Sequence, residues 1–125
     1  MKKLIKLASV VIVLGMMAIP THALWLNGTY RFNEIGTDYN LLYTTANIPG
    51  KGYTLAARAS LTSGQMVRVN IKEEGATSVG SKDFPIYDNT VPSLIINAGK
   101  GKKYSFYVRS TSGKASGAGH FRANK

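Results

Sequence analysis

The sequence predicts an all-β fold, a small antiparallel β-sandwich or jelly roll of about seven strands, preceded by a helical secretory signal peptide. Three observations carry this expectation. The chain opens on a short basic and apolar leader. Beyond it, polar and apolar residues alternate with the two-residue period of half-buried strands. Glycine-containing turn signals then separate the alternating runs at regular intervals.

The leader has the three parts of an export signal: Lys2, Lys3 and Lys6, an apolar run over residues 7–19, and the small-residue ending Pro20-Thr21-His22-Ala23. The apolar run falls below the roughly 17 residues needed to cross a bilayer, so cleavage after Ala23 is expected rather than anchoring. Residues 1–23 are therefore read as a signal peptide of bacterial, lysine-rich type, and residues 24–125 as one β-sandwich domain. A domain of that size needs most of its apolar side chains in the core. The chain contains no cysteine, which excludes disulfides, a lipidated cysteine and thiolate chemistry. Residues 115–125 hold no apolar tail, so the mature form is expected to be secreted without a transmembrane anchor, either freely released or retained at the cell surface by charge.

The strands follow in order of clarity. Over residues 66–72, Val67, Val69 and Ile71 share one face while Met66, Arg68, Asn70 and Lys72 share the other. Over residues 53–61, Tyr53, Leu55, Ala57, Ala59 and Leu61 oppose Thr54, Ala56, Arg58 and Ser60, and the small alanines imply close approach by a facing sheet. Tyr104, Phe106 and Val108 alternate with Ser105, Tyr107 and Arg109. Residues 93–97 make a short apolar run expected as a buried strand. Residues 24–32, 39–45 and 117–122 are weaker strands. In the last of these, Ala118, His120 and Arg122 take the parity opposite Gly119, Phe121 and Ala123. Residues 76–92 read as a long connection with one edge strand around 84–87, because Pro85 and Pro92 lack ladder donors and Asp83, Asp88 and Asn89 favour turns. Between the strands lie Ile48-Pro49-Gly50-Lys51-Gly52, Thr62-Ser63-Gly64, Glu73-Glu74-Gly75 and Asn97-Ala98-Gly99-Lys100-Gly101, each able to supply the positive φ of a tight turn.

Charge is unevenly distributed along the chain. Residues 24–88 are neutral, their basic side chains matched in number by Glu34, Asp38, Glu73, Glu74, Asp83 and Asp88. Residues 89–125 carry Lys100, Lys102, Lys103, Arg109, Lys114, Arg122 and Lys125 with no acidic residue. Such a field attracts polyanions, whereas scattered lysines would only keep a secreted domain soluble and protect its sheet edges.

Catalytic equipment is sparse. His120 is the only histidine beyond the leader, which excludes a multi-imidazole metal centre and would leave any serine triad dependent on that one ring. The pairs Glu34 with Asp38, Glu73 with Glu74, and Asp83 with Asp88 have no ligand spacing, and Glu73-Glu74-Gly75 reads as a hairpin turn. Gly99-Lys100-Gly101-Lys102-Lys103 lacks both the length of a phosphate-binding loop and its following helix.

The functional expectation is a secreted, non-catalytic binding protein with no cofactor and no metal. It recognises an anionic cell-envelope or extracellular polymer, or lipid head groups, through Lys100, Lys102, Lys103, Tyr107, Arg109 and Arg122. Tyr107 joins the set because an outward tyrosine beside arginine offers a flat apolar face next to a cation. No specific nucleic acid is expected, and the sequence sets no oligomeric state. The competing reading is a secreted antimicrobial or toxin-like protein acting on anionic membranes, although no basic amphipathic helix is present to support it.

Overall fold

The computed structural model describes residues 28–125, so the signal peptide expected over residues 1–23 lies outside the described residues. Eight strands follow one another: β1 (Gly28–Ile35), β2 (Asn40–Thr44), β3 (Tyr53–Ser63), β4 (Met66–Glu73), β5 (Ser78–Pro85), β6 (Leu94–Ala98), β7 (Tyr104–Ser110) and β8 (Ala115–Asn124). They form two antiparallel four-stranded sheets, ordered β1-β8-β3-β6 and β2-β7-β4-β5. The architecture is sandwich-like, with eight strands where the sequence predicts about seven.

The inward parities build the core. Leu55, Ala57 and Ala59 of β3 and Phe121 of β8 face Val67, Val69 and Ile71 of β4 and Tyr104, Phe106 and Val108 of β7, and all are buried. The two alanines of β3 thus serve the close approach their size implies. Aromatic rings complete the seam: Tyr30 stacks on Tyr43 at 5.0 Å, and Phe106 meets Phe121 at 4.3 Å. Ring pairs at such separations add about 0.5–1.5 kcal/mol each beyond the area they bury. A bulge in β2 between Leu41 and Tyr43 leaves Leu41 outside while both Leu42 and Tyr43 pack on the core.

Turns fall where the glycine signals lie: Gly52, Gly64, Gly75 and Gly101 all take positive φ. Gly64 is doubly constrained. It has φ 94° and a Cβ there would stand 2.7 Å from the Ala115 side chain, so the β3–β4 turn packs against the start of β8.

Three expectations need correction. Residues 76–92 contain a full edge strand, β5, rather than a short one around 84–87. Its inward positions include Gly80, over which the side chains of Leu94 and Ile96 pack, so the core is filled from β6 and no apolar period appears in β5. The run at 93–97 is also an edge strand rather than a buried one: Leu94 and Ile96 pack inward while Ile95 is 64% exposed. Asn70, placed in water by its parity, is only 4% exposed and accepts a hydrogen bond from the Ser78 hydroxyl. Its cross-strand neighbour Tyr107, with Arg68 and Lys72 two residues away on either side, shields that position.

Candidate anion-binding site

The six residues expected to bind ligand do not form one surface. Lys100, Lys102 and Lys103 occupy the β6–β7 turn at one end of the sandwich. The segment before β3 pins that turn: Gly101 N–H donates to the Ile48 carbonyl at 2.6 Å, Ile48 N–H donates to the Lys102 carbonyl at 2.8 Å, and the Asn47 amide donates to the Gly101 carbonyl at 2.8 Å. Glu74 N–H donates to the Lys103 carbonyl at 2.8 Å, which sets the acidic β4–β5 hairpin beside the lysines. Buried Tyr104 strengthens the same junction by donating its hydroxyl to Glu73 Oε1 at 2.7 Å while accepting from Gly99 N–H at 2.7 Å. Burial, foremost, holds the Tyr104 phenol above its ordinary range.

Tyr107 and Arg109 lie on the outer face of the β2-β7-β4-β5 sheet, as their parity predicts. There the cations are already engaged. Lys72 Nζ stands 5.0 Å from the centre of the Tyr107 ring, and the Arg109 guanidinium stands 5.5 Å from that of Tyr39. Arg68 grips Asp83 in a two-point pair, Nε to Oδ1 at 2.7 Å and Nη2 to Oδ2 at 3.1 Å. The Arg68 hydrogen bond, with the charges of Arg68 and Arg109, holds the Asp83 carboxyl below its usual range despite partial burial.

Arg122 belongs to the other sheet and the opposite outer face. Pairing sets His120 of β8 between Thr29 of β1 and Arg58 of β3, and sets Arg122 opposite Ala56 and Arg31 opposite Ala118. Arg31, Arg58, Arg122 and His120 therefore share one face. Among the described residues the single ion pair is Arg68–Asp83, so none of these three arginines has a carboxylate partner within 4.0 Å. The carboxylates lie elsewhere: Glu34 at the bulge that ends β1, Asp38 before β2, Glu73 and Glu74 at the β4–β5 hairpin, Asp83 on the far sheet and Asp88 after β5.

His120 is the centre of this face. Its Nδ1 lies 3.2 Å from Thr29 Oγ1 and its Nε2 lies 3.2 Å from Ser60 Oγ. Hydroxyls can donate or accept, so they satisfy either neutral tautomer and the imidazolium alike. Burial, and then the charge of Arg58, push the imidazole below its ordinary pKa. Two open clefts flank the ring. One, of about 330 Å³, runs past Thr29, Ala56, Arg58, Ser93 and Arg122; the other, of about 690 Å³, past Arg31, Asn33, Ser60 and Ser116. Ser60 stands within hydrogen-bond reach of His120 as a nucleophile does of its base, but the imidazole's second partner is a hydroxyl rather than a carboxylate.

Arg31 and Arg58 were hidden because they fall in the part of the sequence that is neutral overall. The usable signal was parity: counting charge by strand face instead of by chain segment puts Arg58 with the polar side of its strand and His120 and Arg122 on the polar side of theirs. No protein-family model, curated protein or solved structure matches the chain.

Proposed function

We propose that the protein is an exported, non-catalytic β-sandwich that binds an anionic cell-envelope or extracellular polymer. One observation carries the reading: the outer face of the β1-β8-β3-β6 sheet gathers Arg31, Arg58 and Arg122 around His120, with no carboxylate among the described residues paired to any of them. Arginine binds anionic oxygens through a planar fork of donors, and three unopposed forks on a face rich in hydroxyls suit a chain of repeated negative groups better than a single small molecule. The lysines of the β6–β7 turn extend the positive field and speed encounter, although Glu73 and Glu74 beside them reduce their share.

Co-sedimentation with isolated bacterial envelope across a salt series tests the reading. Retention is expected to fall steeply with salt, and to fall further in the triple variant Arg31→Glu, Arg58→Glu, Arg122→Glu than in Lys100→Glu, Lys102→Glu, Lys103→Glu. Equal retention of the arginine variant and the parent protein overturns it. Dye release from anionic vesicles would instead place the protein with membrane-active toxins.

A further inference from the structure

Resting on that reading and sharpening it, we propose that the cleft bounded by Arg58, Arg122 and His120 is a site for one tetrahedral oxyanion, the phosphate or sulfate group of the polymer, whose binding draws a proton onto His120.

The geometry comes from the ladder. Arg58 is directly opposite His120 in the β3–β8 pair, and Arg122 lies two residues from His120 on the same face. Directly opposed side chains start about 5 Å apart and diagonal ones about 7–8 Å apart, so two guanidinium groups can close on a single ligand between them. The floor is left low by small residues. Ala56 is the outward-facing partner of Arg122, and beside it the cleft is lined by the backbone of Gly28 and Phe121, whose side-chain positions point into the core. Thr29 and Ser93 add hydroxyl donors at the rim.

The donor set selects the ligand chemistry. Two forks and two hydroxyls supply more N–H and O–H groups than a carboxylate's two oxygens can use, whereas a tetrahedral oxyanion presents three or four oxygens in different directions. A phosphate monoester or a free sulfate ion approaches two negative units, matching two arginines and leaving the imidazole to respond, whereas a sulfate ester or phosphodiester brings one. The charged groups facing His120 are Arg58 from β3, Arg31 from β1 and Arg122 on its own strand, with Thr29 and Ser60 as neutral partners. In the empty site burial first, and then the charge of Arg58, disfavours the imidazolium. A bound dianion reverses the local field and favours it. Ligand and proton then help each other bind, and affinity rises as the pH falls towards the imidazole range.

The experiment is an NMR titration of the His120 ring, assigned with His120→Gln, in inorganic phosphate, sulfate or acetate at one ionic strength set with chloride. Phosphate and sulfate are expected to raise the titration midpoint by about half a unit or more, and acetate to leave it at its chloride value. Arg58→Gln and Arg122→Gln each remove the rise. His120→Gln keeps oxyanion binding but, with sulfate, which does not itself titrate in this range, loses its dependence on pH between about 5 and 7. An equal shift with acetate, or no shift with any anion, overturns the proposal. Salt-sensitive envelope retention through the arginines without a His120 shift defeats this inference alone. A His120 shift without envelope retention defeats the polymer reading and leaves the oxyanion site standing.

Discussion

Phe106 of β7 and Phe121 of β8 meet across the sandwich with ring centroids 4.3 Å apart, each contributed by a different sheet. Tyr43 stacks at 6.2 Å from Phe106 and at 6.5 Å from Phe121, so one aromatic cluster joins the two layers. Phe121 precedes Arg122 and follows His120, which means the ring that anchors β8 in the core also sets the outward direction of both polar neighbours. Phe121→Ala is expected to cost about 3–5 kcal/mol, a large part of the stability of a domain this size. Urea unfolding followed by tyrosine fluorescence measures it, and a cost below 1 kcal/mol would show that the ring does not carry the seam.

Two glycines should respond oppositely to alanine. A Cβ on Gly117 would strike the Ser60 carbonyl oxygen and stand 2.9 Å from Leu61 Cα, where β8 passes the β3 bulge between Leu61 and Ser63. Gly117→Ala is expected to destabilise by roughly 1–3 kcal/mol, because backbone cannot give way as a flexible side chain can. Gly36 has nothing within 4 Å of its would-be Cβ and an ordinary φ, so Gly36→Ala is expected to be neutral or stabilising by up to about 1 kcal/mol. Thermal denaturation of the two variants side by side reads the contrast.

The Arg68–Asp83 pair predicts a pH dependence with a definite sign. The folded Asp83 carboxyl has a lowered pKa, so its contribution is present above the unfolded value near about 3.9 and disappears as pH falls through the folded value. Both side chains are about one third exposed, so solvent screens the pair and its contribution at neutral pH is small. Arg68→Gln should therefore be less stable than the parent at pH 7, with the gap closing below pH 4 and narrowing in high salt. A gap that persists unchanged at about pH 2 would show that Arg68 acts by packing rather than charge.

His120 acts in the same direction for a different reason. Its folded pKa is depressed, chiefly by burial, so the unfolded chain takes up the proton first as the pH drops below the ordinary imidazole value near about 6.5. Stability contributed by the neutral ring is complete above that value and is lost progressively down to the folded pKa. His120→Gln should flatten this part of the stability profile in chloride buffer. Repeating the parent measurement in phosphate should flatten it too, since a bound oxyanion lifts the folded pKa towards the unfolded one. Parallel profiles for parent and variant between about pH 5 and 7 would show that the ring titrates alike in both states.

Most of the fold was legible in the sequence because its strands are half buried. The stretches now seen as β3, β4 and β7 announce themselves through two-residue alternation, and the glycines of their turns mark the ends. β5 was legible only at its Phe84 end. Gly80 and Lys82 stand at inward positions on an edge where β6 supplies the apolar filling, so the strand carries no hydrophobic period. The apolar run of β6 suggested burial on both sides, yet an edge position leaves Ile95 in solvent.

The sequence by itself determined the class of fold, the strand parity of Tyr107, Arg109, His120 and Arg122, and the excess of cations over carboxylates in the last third of the chain. Only the tertiary structure decided which cations become neighbours. Charge counted along a chain adds residues that are close in sequence, but antiparallel pairing across two layers brings Arg31 and Arg58 from the neutral part to His120 and Arg122, and puts Arg109 on the opposite face. Register and sheet order set that arrangement, and both arise from long-range packing of the inward side chains, which no local pattern of charge records.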